Sequence, residues 1–269
     1  MNTLQKKKLR GTGVNCGLIV LLFAVVLLLG QVLPDNTYRR VLVPIIWQMC
    51  IFILLGTSLN LTLGYLGQLT LGHMGFAGIG AYTAALSSLA LERAGVFEAS
   101  KAAPGQLILV VLGCCLLGAI FAGLLGLLVG IPALRLRGDY LAIVTLAFGE
   151  IIKNLVNVLW IGKDADGFHF SMKDAMSLDM DLEGDVIING PQGITGTPTD
   201  STFLIGVILL LITLFIVTNL VDSRDGRAIM AIRDNRIAAE SVGINITKYK
   251  LMAFTVSAAL AGLAGVLYS

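Results

Sequence analysis

Two ionisable residues lie within one of the long apolar runs of this sequence. Glu150 and Lys153 are three positions apart, in a run that extends from about residue 139 to residue 160. This spacing places both side chains on the same face of a helix. A charge in the middle of a bilayer costs several kcal/mol unless it is paired or hydrated. The two residues therefore form either a mutually neutralised pair that faces other helices or a polar contact on the path of a polar solute.

A second group of polar residues lies in the glycine-rich stretch 60–83. Its glycines are Gly64, Gly67, Gly72, Gly75, Gly78 and Gly80, and Gln68, Thr70 and His73 lie among them. Glycine allows helices to break and backbones to touch. A broken helix in a membrane exposes backbone groups that must be buried in protein or line a wet cavity, and such breaks form substrate sites in transporters. The stretch predicts either such a break or a segment of tight helix packing, with His73 as a satisfied interior histidine.

A third candidate is a polar segment, rich in arginine and alanine, between the last two apolar runs. Ser223 or Asp225 could cap the start of a helix, and Gly243 could end it. Arg236 and Glu240 are four positions apart, which suits an ion pair. The small alanine side chains would leave a slim helix that fits a groove on another protein. The segment is therefore either a docking element or a solvated linker helix.

Motifs for enzymatic chemistry are absent from the sequence. No G-x-x-x-x-G-K-[ST] pattern occurs, so the chain has no P-loop for ATP. No H-E-x-x-H motif or cysteine–histidine cluster occurs either, and the histidines are His73 and His169. The cysteines lie in apolar runs without a C-x-x-C pair, which is typical of small buried hydrophobes. We therefore expect neither catalysis nor a metal site in this chain.

Membrane-spanning helices are the elements that must position these residues. Of the 269 residues, 56% are hydrophobic and 13% are charged, whereas soluble domains carry about 25% charged residues. The apolar residues form runs near the ~20 residues that cross a bilayer. We predict about seven spans, near residues 14–33, 41–63, 70–91, 106–130, 139–160, 203–221 and 250–269. The predicted fold is all-α, a polytopic bundle in which residues 1–269 form one transmembrane domain.

The lysines and arginines orient this bundle. Most of them fall in segments that are cytoplasmic if the N-terminus is cytoplasmic, as the positive-inside rule requires. Residues 161–202 then form an acidic external loop, and residues 222–249 form a cytoplasmic loop suited to coupling. The last apolar run reaches Ser269 without a polar flank, from which we expect a chain truncated at its C-terminus.

Small residues recur at helical spacing in two of the runs. They are Gly118, Ala122, Gly126 and Gly130 in the run 106–130, and Ala258, Ala261, Gly262 and Gly265 in the last run. Residues four apart share one helix face, where small side chains let backbones approach closely. These two runs are predicted to pack against other helices along such faces.

Four segments follow one another along the chain in a recognisable order. They are the glycine-rich stretch 60–83, the run Gly138–Glu150, the predicted external segment Asn189–Pro198 and the segment Gly226–Ser257. Together they resemble the permease subunits of ATP-binding-cassette importers for branched-chain amino acids. The resemblance covers most of residues 41–269 and is strongest to the M-type subunits of leucine/isoleucine/valine systems.

The resemblance implies a transport subunit rather than an enzyme, in a multi-pass protein of the bacterial inner membrane. Such permeases pair with a second related permease, with two cytoplasmic ATPases and with an external amino-acid-binding protein. ATP and Mg²⁺ are then expected on the ATPases and no cofactor in this chain. No nucleic-acid partner is expected.

The resemblance also implies which residues couple the chain to the ATPase, because Gly226–Gly243 matches the family's coupling loop. The candidate coupling residues are Gly226, Arg227, Ala231, Arg233, Asp234, Arg236, Ala239, Glu240 and Gly243. The candidate polar residues near the substrate path are Gln68, Thr70, His73, Thr145 and Glu150. A permease for urea or short amides shares much of this pattern. The alternatives from other classes are an ion-driven secondary carrier and a purely structural membrane subunit.

Overall fold

The structure is a computed structural model that describes residues 43–93, 104–136, 138–164, 167–173, 185–194 and 203–268, together with Gly17, Ala24, Val25 and Ser177. This part of the chain is mainly helical, as predicted. Apart from Gly17, Ala24 and Val25, the predicted first span, near residues 14–33, lies outside the described residues.

Within the described residues, six helices are long and apolar enough to cross a membrane. They are α1 (Val43–Asn60), α2 (His73–Arg93), α3 (Pro104–Ala133), α4 (Asp139–Val158), α5 (Phe203–Asp222) and α8 (Ile246–Val266). Two shorter helices, α6 (Arg224–Asp234) and α7 (Arg236–Ser241), connect α5 to α8. The six long helices match the predicted spans after the first to within a few residues, which confirms the polytopic helical bundle.

Close backbone contacts hold α2, α3 and α8 together. A Cβ atom added at Gly80 in α2 would lie 2.6 Å from the Cα of Gly262 in α8, which real side chains do not tolerate. A Cβ added at Gly262 would in turn lie 2.5 Å from the Cβ of Ala122 in α3. Gly126 faces Ala258 in the same way. The predicted packing role of these small residues is therefore confirmed.

The remaining long helices pack around this centre. α5 packs on α1, where the Trp47 ring lies 3.3 Å from the position of a Cβ at Gly206. α4 packs on α2 beside the glycine-rich stretch. The outward faces of the spans carry exposed leucine, isoleucine and phenylalanine side chains. Such faces suit contact with lipid, where the backbone groups are already bonded within each helix.

The connection between α4 and α5 contains a small antiparallel sheet that the sequence did not predict. Its strands are β1 (Trp160–Asp164), β2 (Gly167–Ser171) and β3 (Asp185–Asn189), in the order β2-β1-β3. Ile187 and Ile188 of β3 pack against Leu89 near the end of α2. The sheet is therefore attached to the end of α2 that lies away from the glycine-rich stretch.

Candidate functional site

The glycine-rich stretch is a break between α1 and α2. α1 passes into a π-helical turn at Leu61–Tyr65, residues 66–72 are irregular, and α2 begins at His73. Gly67 has φ +70°, in the left-handed region that residues with a side chain seldom adopt. The break separates two membrane spans rather than interrupting one, and the second predicted feature is also observed, because Gly75 and Gly80 of the same stretch pack closely on Gly149 and Gly262. We call residues 61–72 the break.

His73 is buried at the end of the break and is bonded to α1. The hydroxyl of Ser58 donates to the carbonyl of Leu55 at 2.8 Å, so its oxygen accepts from His73 Nε2 at 2.7 Å. The carbonyl of Ser58 accepts a further hydrogen bond of 2.6 Å from the hydroxyl of Ser257 in α8. His73 is thus a satisfied interior histidine that fixes the start of α2 against α1.

Three other candidate residues for the substrate path also lie at or beside the break. Thr70 Oγ1 is 3.4 Å from Thr62 Oγ1, within the break itself. The N–H of Leu71 donates to Thr145 Oγ1 at 3.2 Å, which ties the end of the break to α4. Gln68 Oε1 is buried and has no hydrogen-bond partner within the described residues. Thr70 and Thr145 are therefore occupied in fixing the break, whereas Gln68 has an unused acceptor there.

A cavity of about 420 Å³ lies between α2 and α4, beside the break. On one side it is lined by Leu71, Gly72, Met74, Gly75, Gly78 and Tyr82, and on the other by Leu146, Gly149, Glu150, Ile152, Lys153, Val156 and Asn157. Gly78 leaves part of this space open, since nothing lies within 4 Å of its absent Cβ, whereas Gly72 and Gly75 lie directly against Thr145 and Gly149 of α4. The wall contributed by α4 combines apolar side chains with one charged pair.

Glu150 and Lys153 form the predicted ion pair, with 3.3 Å between Oε2 and Nζ. Their side chains are 55% and 63% exposed, so the pair does not face other helices of the described chain. It lines the cavity instead. Of the five predicted path residues, Glu150 therefore reaches the cavity, while Thr70, His73 and Thr145 are buried around it. In the described ranges, no group of three or more His, Cys, Asp and Glu side chains could hold a metal ion.

The predicted docking element has the expected ends but contains two helices. The N–H of Gly226 donates to Ser223 Oγ at 3.1 Å, which caps α6. Asn235 then interrupts the helix and caps α7 by accepting from Ala238 N–H at 3.1 Å. Gly243 has φ +85° and ends α7 in the left-handed conformation common at helix C-termini. We call residues 222–245 the docking segment.

The candidate coupling residues divide between two faces of this segment. The exposed ones are Arg227, Arg233, Asp234, Glu240 and Gly243; Ala231 and Arg236 are half-buried, and Gly226 and Ala239 are buried. Ala239 packs with Ile232 and Ile246 of the same chain. Ala228 and Ala239 are therefore covered by this chain, whereas Ala238 is exposed and is the alanine that remains free to meet another protein. Arg236 and Glu240 have the predicted spacing but form no ion pair within this segment.

Two apolar residues of the docking segment were missed by the sequence analysis. Ile237 is 81% exposed and Val242 is 75% exposed, although neither lies in one of the six membrane-spanning helices. Exposed apolar side chains that are not surrounded by lipid mark interaction sites when they cluster. The signal was present in the sequence, since both stand alone among polar and small residues.

One arginine joins the docking segment to the break. Arg233 Nη1 donates to the carbonyl oxygen of Gly64 at 3.0 Å. Its Nε and Nη2 donate to Asp234 Oδ1 at 3.1 and 3.0 Å. The two regions that the sequence analysis treated separately are therefore in direct contact.

Comparisons with known proteins place the chain in a family. Residues 41–269 match the family model described as the permease component of the branched-chain amino acid transport system. The chain is 35% identical, over 257 residues, to the high-affinity branched-chain amino acid transport system permease protein LivM of Salmonella typhimurium strain LT2. It is equally similar to the protein of the same name from Escherichia coli strain K12.

The aligned region covers 92% of this chain but 57% of each relative. The chain thus spans somewhat more than half the length of these curated relatives. No solved structure matches it significantly. The match of the family model over nearly all of the described helices confirms the resemblance seen in the sequence, and the chain belongs to the family of permease components of branched-chain amino acid transport systems.

Proposed function

We propose that this chain is one transmembrane subunit of an ATP-driven importer of leucine, isoleucine and valine. The observation that carries the proposal is the cavity between α2 and α4, whose wall joins an ion pair to apolar side chains. The names of the two relatives, which describe high-affinity branched-chain amino acid transport, support the same substrates.

The chemistry of the cavity suits an aliphatic amino acid. Such a molecule carries an ammonium group, a carboxylate and an apolar side chain. Glu150 supplies a partner for the ammonium group, and Lys153 supplies one for the carboxylate. Leu146, Ile152 and Val156 supply an apolar surface for the side chain. The volume of about 420 Å³ falls in the range of about 300–1,000 Å³ that small-ligand sites occupy.

A second, related permease is the partner that closes this cavity. Glu150 and Lys153 are more than half exposed on a membrane-spanning helix, and exposed charges are costly against lipid. A protein partner that faces α4 removes this cost and turns the open side of the cavity into a path between two subunits. The alternating-access movement then opens this path to one side of the inner membrane at a time.

The energy for this movement comes from two cytoplasmic ATPases that bind ATP and Mg²⁺, since the chain has no P-loop of its own. The docking segment is the surface that they contact, through the exposed charges of Arg227, Asp234 and Glu240 and through Ile237 and Val242. An external binding protein delivers the amino acid to the opposite side. The acidic connection between α4 and α5 lies on that side in the predicted topology.

Uptake into proteoliposomes tests the proposal. The protein is co-purified with its ATPase and permease partners, reconstituted, and supplied with binding protein and with ATP on the ATPase side. We expect uptake of labelled leucine that requires ATP and persists with a protonophore. Uptake of labelled urea in place of leucine would assign the chain to urea or amide transport. Leucine uptake without ATP that a protonophore abolishes would identify a secondary carrier, and no uptake of either solute would favour a structural subunit.

A further inference from the structure

We propose that Arg233 is the positioning residue that transmits movement of the docking segment to the break between α1 and α2, through its hydrogen bond to the carbonyl of Gly64. The proposal rests on the proposed function, because it requires an ATPase that moves the docking segment. It assigns Arg233 a role directed into this chain, and not a contact with the ATPase.

The break leaves the carbonyl of Gly64 without its usual partner. In a continuous α-helix this oxygen would accept from the N–H of residue 68. Here the N–H of Gln68 donates instead to the carbonyl of Thr62, at 3.0 Å. A backbone carbonyl without a partner is costly away from water. Arg233 supplies the missing donor at 3.0 Å, from a position 169 residues further along the chain.

The guanidinium of Arg233 is held in the orientation that this bond requires. Its Nε and Nη2 both donate to Asp234 Oδ1, which leaves Nη1 directed at Gly64. Hydrogen bonds in which the donor or the acceptor is charged are shorter and stronger than neutral ones. Because the guanidinium is planar and rigid, a displacement of α6 changes the position of all three donors together.

The stem of the same arginine passes directly over the break. A Cβ atom added at Gly67 would lie 2.7 Å from Arg233 Cγ, so glycine is required for the stem to cross here. Next to Gly67, the side chain of Leu66 is buried against Ile229 of α6 and Ala253 of α8. The middle of the break is thus attached to the docking segment by a polar contact and by an apolar one.

The far end of the break is attached to the wall of the cavity. Leu71 donates to Thr145 of α4, and the backbone of Gly72 lies against Thr145 and Gly149. Leu71, Gly72 and Gly149 also line the cavity that holds Glu150. Residues 64–72 therefore connect the docking segment to the cavity as one continuous series of contacts. A shift of α6 that pulls on Gly64 displaces this series and alters the cavity.

The test measures how much leucine is transported for each ATP hydrolysed by the assembled complex in proteoliposomes. We expect Arg233→Met to lower this ratio about tenfold, which corresponds to about 1.4 kcal/mol. Arg233→Lys is expected to restore part of the ratio. Its ammonium group can reach the Gly64 carbonyl, but it lacks the two further N–H groups by which the guanidinium is fixed to Asp234. Arg224→Met is the matched control, because it removes an exposed arginine from the same helix outside the candidate set.

A second variant disturbs the same contact from the other side. Gly67→Ala displaces the arginine stem without altering any residue on the docking surface, and is expected to lower the ratio as Arg233→Met does. The double variant is expected to have the same ratio of leucine to ATP as the single variants, since both substitutions remove the same interaction. Yield of the complex and its melting temperature are recorded for each variant, so that loss of stability is separated from loss of coupling.

Three results would overturn the inference. An Arg233→Met complex that assembles and transports as much leucine per ATP as the wild type would show that the contact transmits nothing. Loss of the ATPases from the Arg233→Met complex would show that the side chain is a docking contact. Additive losses in the double variant would show two separate effects. Failure of the wild-type complex to take up leucine with ATP is a different result, because it overturns the proposed function before any variant is compared.

Discussion

The hydroxyl of Ser257 in α8 donates a hydrogen bond of 2.6 Å to the carbonyl oxygen of Ser58 in α1, across 199 positions of sequence. Both residues are almost completely buried. Since Ser58 also accepts from His73, a single chain of polar contacts joins α8, α1 and the start of α2. These contacts meet at the start of α2, so they fix the end of the break that the docking segment does not hold.

Replacing Ser257 with alanine is expected to destabilise the protein by about 1 kcal/mol, the net contribution of a typical buried hydrogen bond. The measurement is the melting temperature in detergent. Thr57→Ala is the control, because the Thr57 hydroxyl bonds to the carbonyl of Ile53 in its own exposed helix turn. Equal melting temperatures for the Ser257→Ala and Thr57→Ala proteins would contradict the structural role of the Ser257 hydrogen bond.

Gly67→Ala is expected to be destabilising for two reasons. A left-handed backbone costs a residue with a side chain about 1–2 kcal/mol, and the new methyl group would overlap the stem of Arg233. Gly56→Ala is the matched control, because Gly56 lies within α1 with nothing near its absent Cβ. In that helical position alanine is expected to be neutral or to stabilise by about 0.5–1 kcal/mol. Equal melting temperatures for the two variants would argue against the described break.

Gly80→Ala is expected to force α2 and α8 apart at a cost of about 1–3 kcal/mol, as overpacking does. The added carbon would overlap the backbone of Gly262, which cannot move away as a flexible side chain can. Gly78→Ala, two positions earlier on the same helix, has open space around the new carbon. Comparing the thermal unfolding of the two variants checks the packing. A larger loss of stability for Gly78→Ala than for Gly80→Ala would show that α2 contacts α8 through a different face from the one described.

Glu150→Gln is expected to reduce leucine uptake at least tenfold in the reconstituted complex, because the ammonium group of the substrate loses its charged partner. Lys153→Met removes the partner of the carboxylate and is expected to act similarly. Asn154→Ala is the control, since Asn154 is an exposed polar residue of the same helix that does not line the cavity. If the Glu150→Gln complex takes up as much leucine as the control, the ion pair does not lie on the substrate path.

Ile237→Glu is expected to weaken the association of the ATPases about 30-fold, since loss of an apolar anchor at an interface costs about 2 kcal/mol. Retention of the ATPases on the purified permease, measured over increasing dilution, reports the change. Thr247→Glu places a new acid on an exposed position in the first turn of α8, where it is compatible with the helix dipole. If both variants retain the ATPases equally, Ile237 lies outside the docking surface.

The long helices could be predicted from the sequence because the length of an apolar run reports whether it crosses a bilayer. The pairing of Glu150 with Lys153 and the cap at Ser223 could be predicted equally well, since both depend on neighbours within one helical turn. The break at Gly67 was harder to predict. Glycine permits both a break and close packing, and the donor to the Gly64 carbonyl, Arg233, lies 169 positions away in the sequence.

Other features depended on tertiary contacts that the sequence does not display. The strands of the small sheet are five residues long, and their pairing depends on Ile187 and Ile188 meeting Leu89. The direction of the alanine face of α6 and α7 depends on Ile246, which lies beyond the segment itself. The sequence favours the interior for His73 but does not display its partner, because Ser58 lies fifteen positions away.

The backbone contact between Gly80 and Gly262 limits how this subunit can change shape. Helices that touch without an intervening side chain cannot roll or slide past each other unless they first separate, and α3 touches α8 at Ala122 as well. α4 also touches this part of the chain, at Gly149 opposite Gly72 and Gly75, and the cavity lies beside that contact. We therefore expect a change in the width of the cavity to pivot on this glycine contact, while α2, α3 and α8 keep their relative positions.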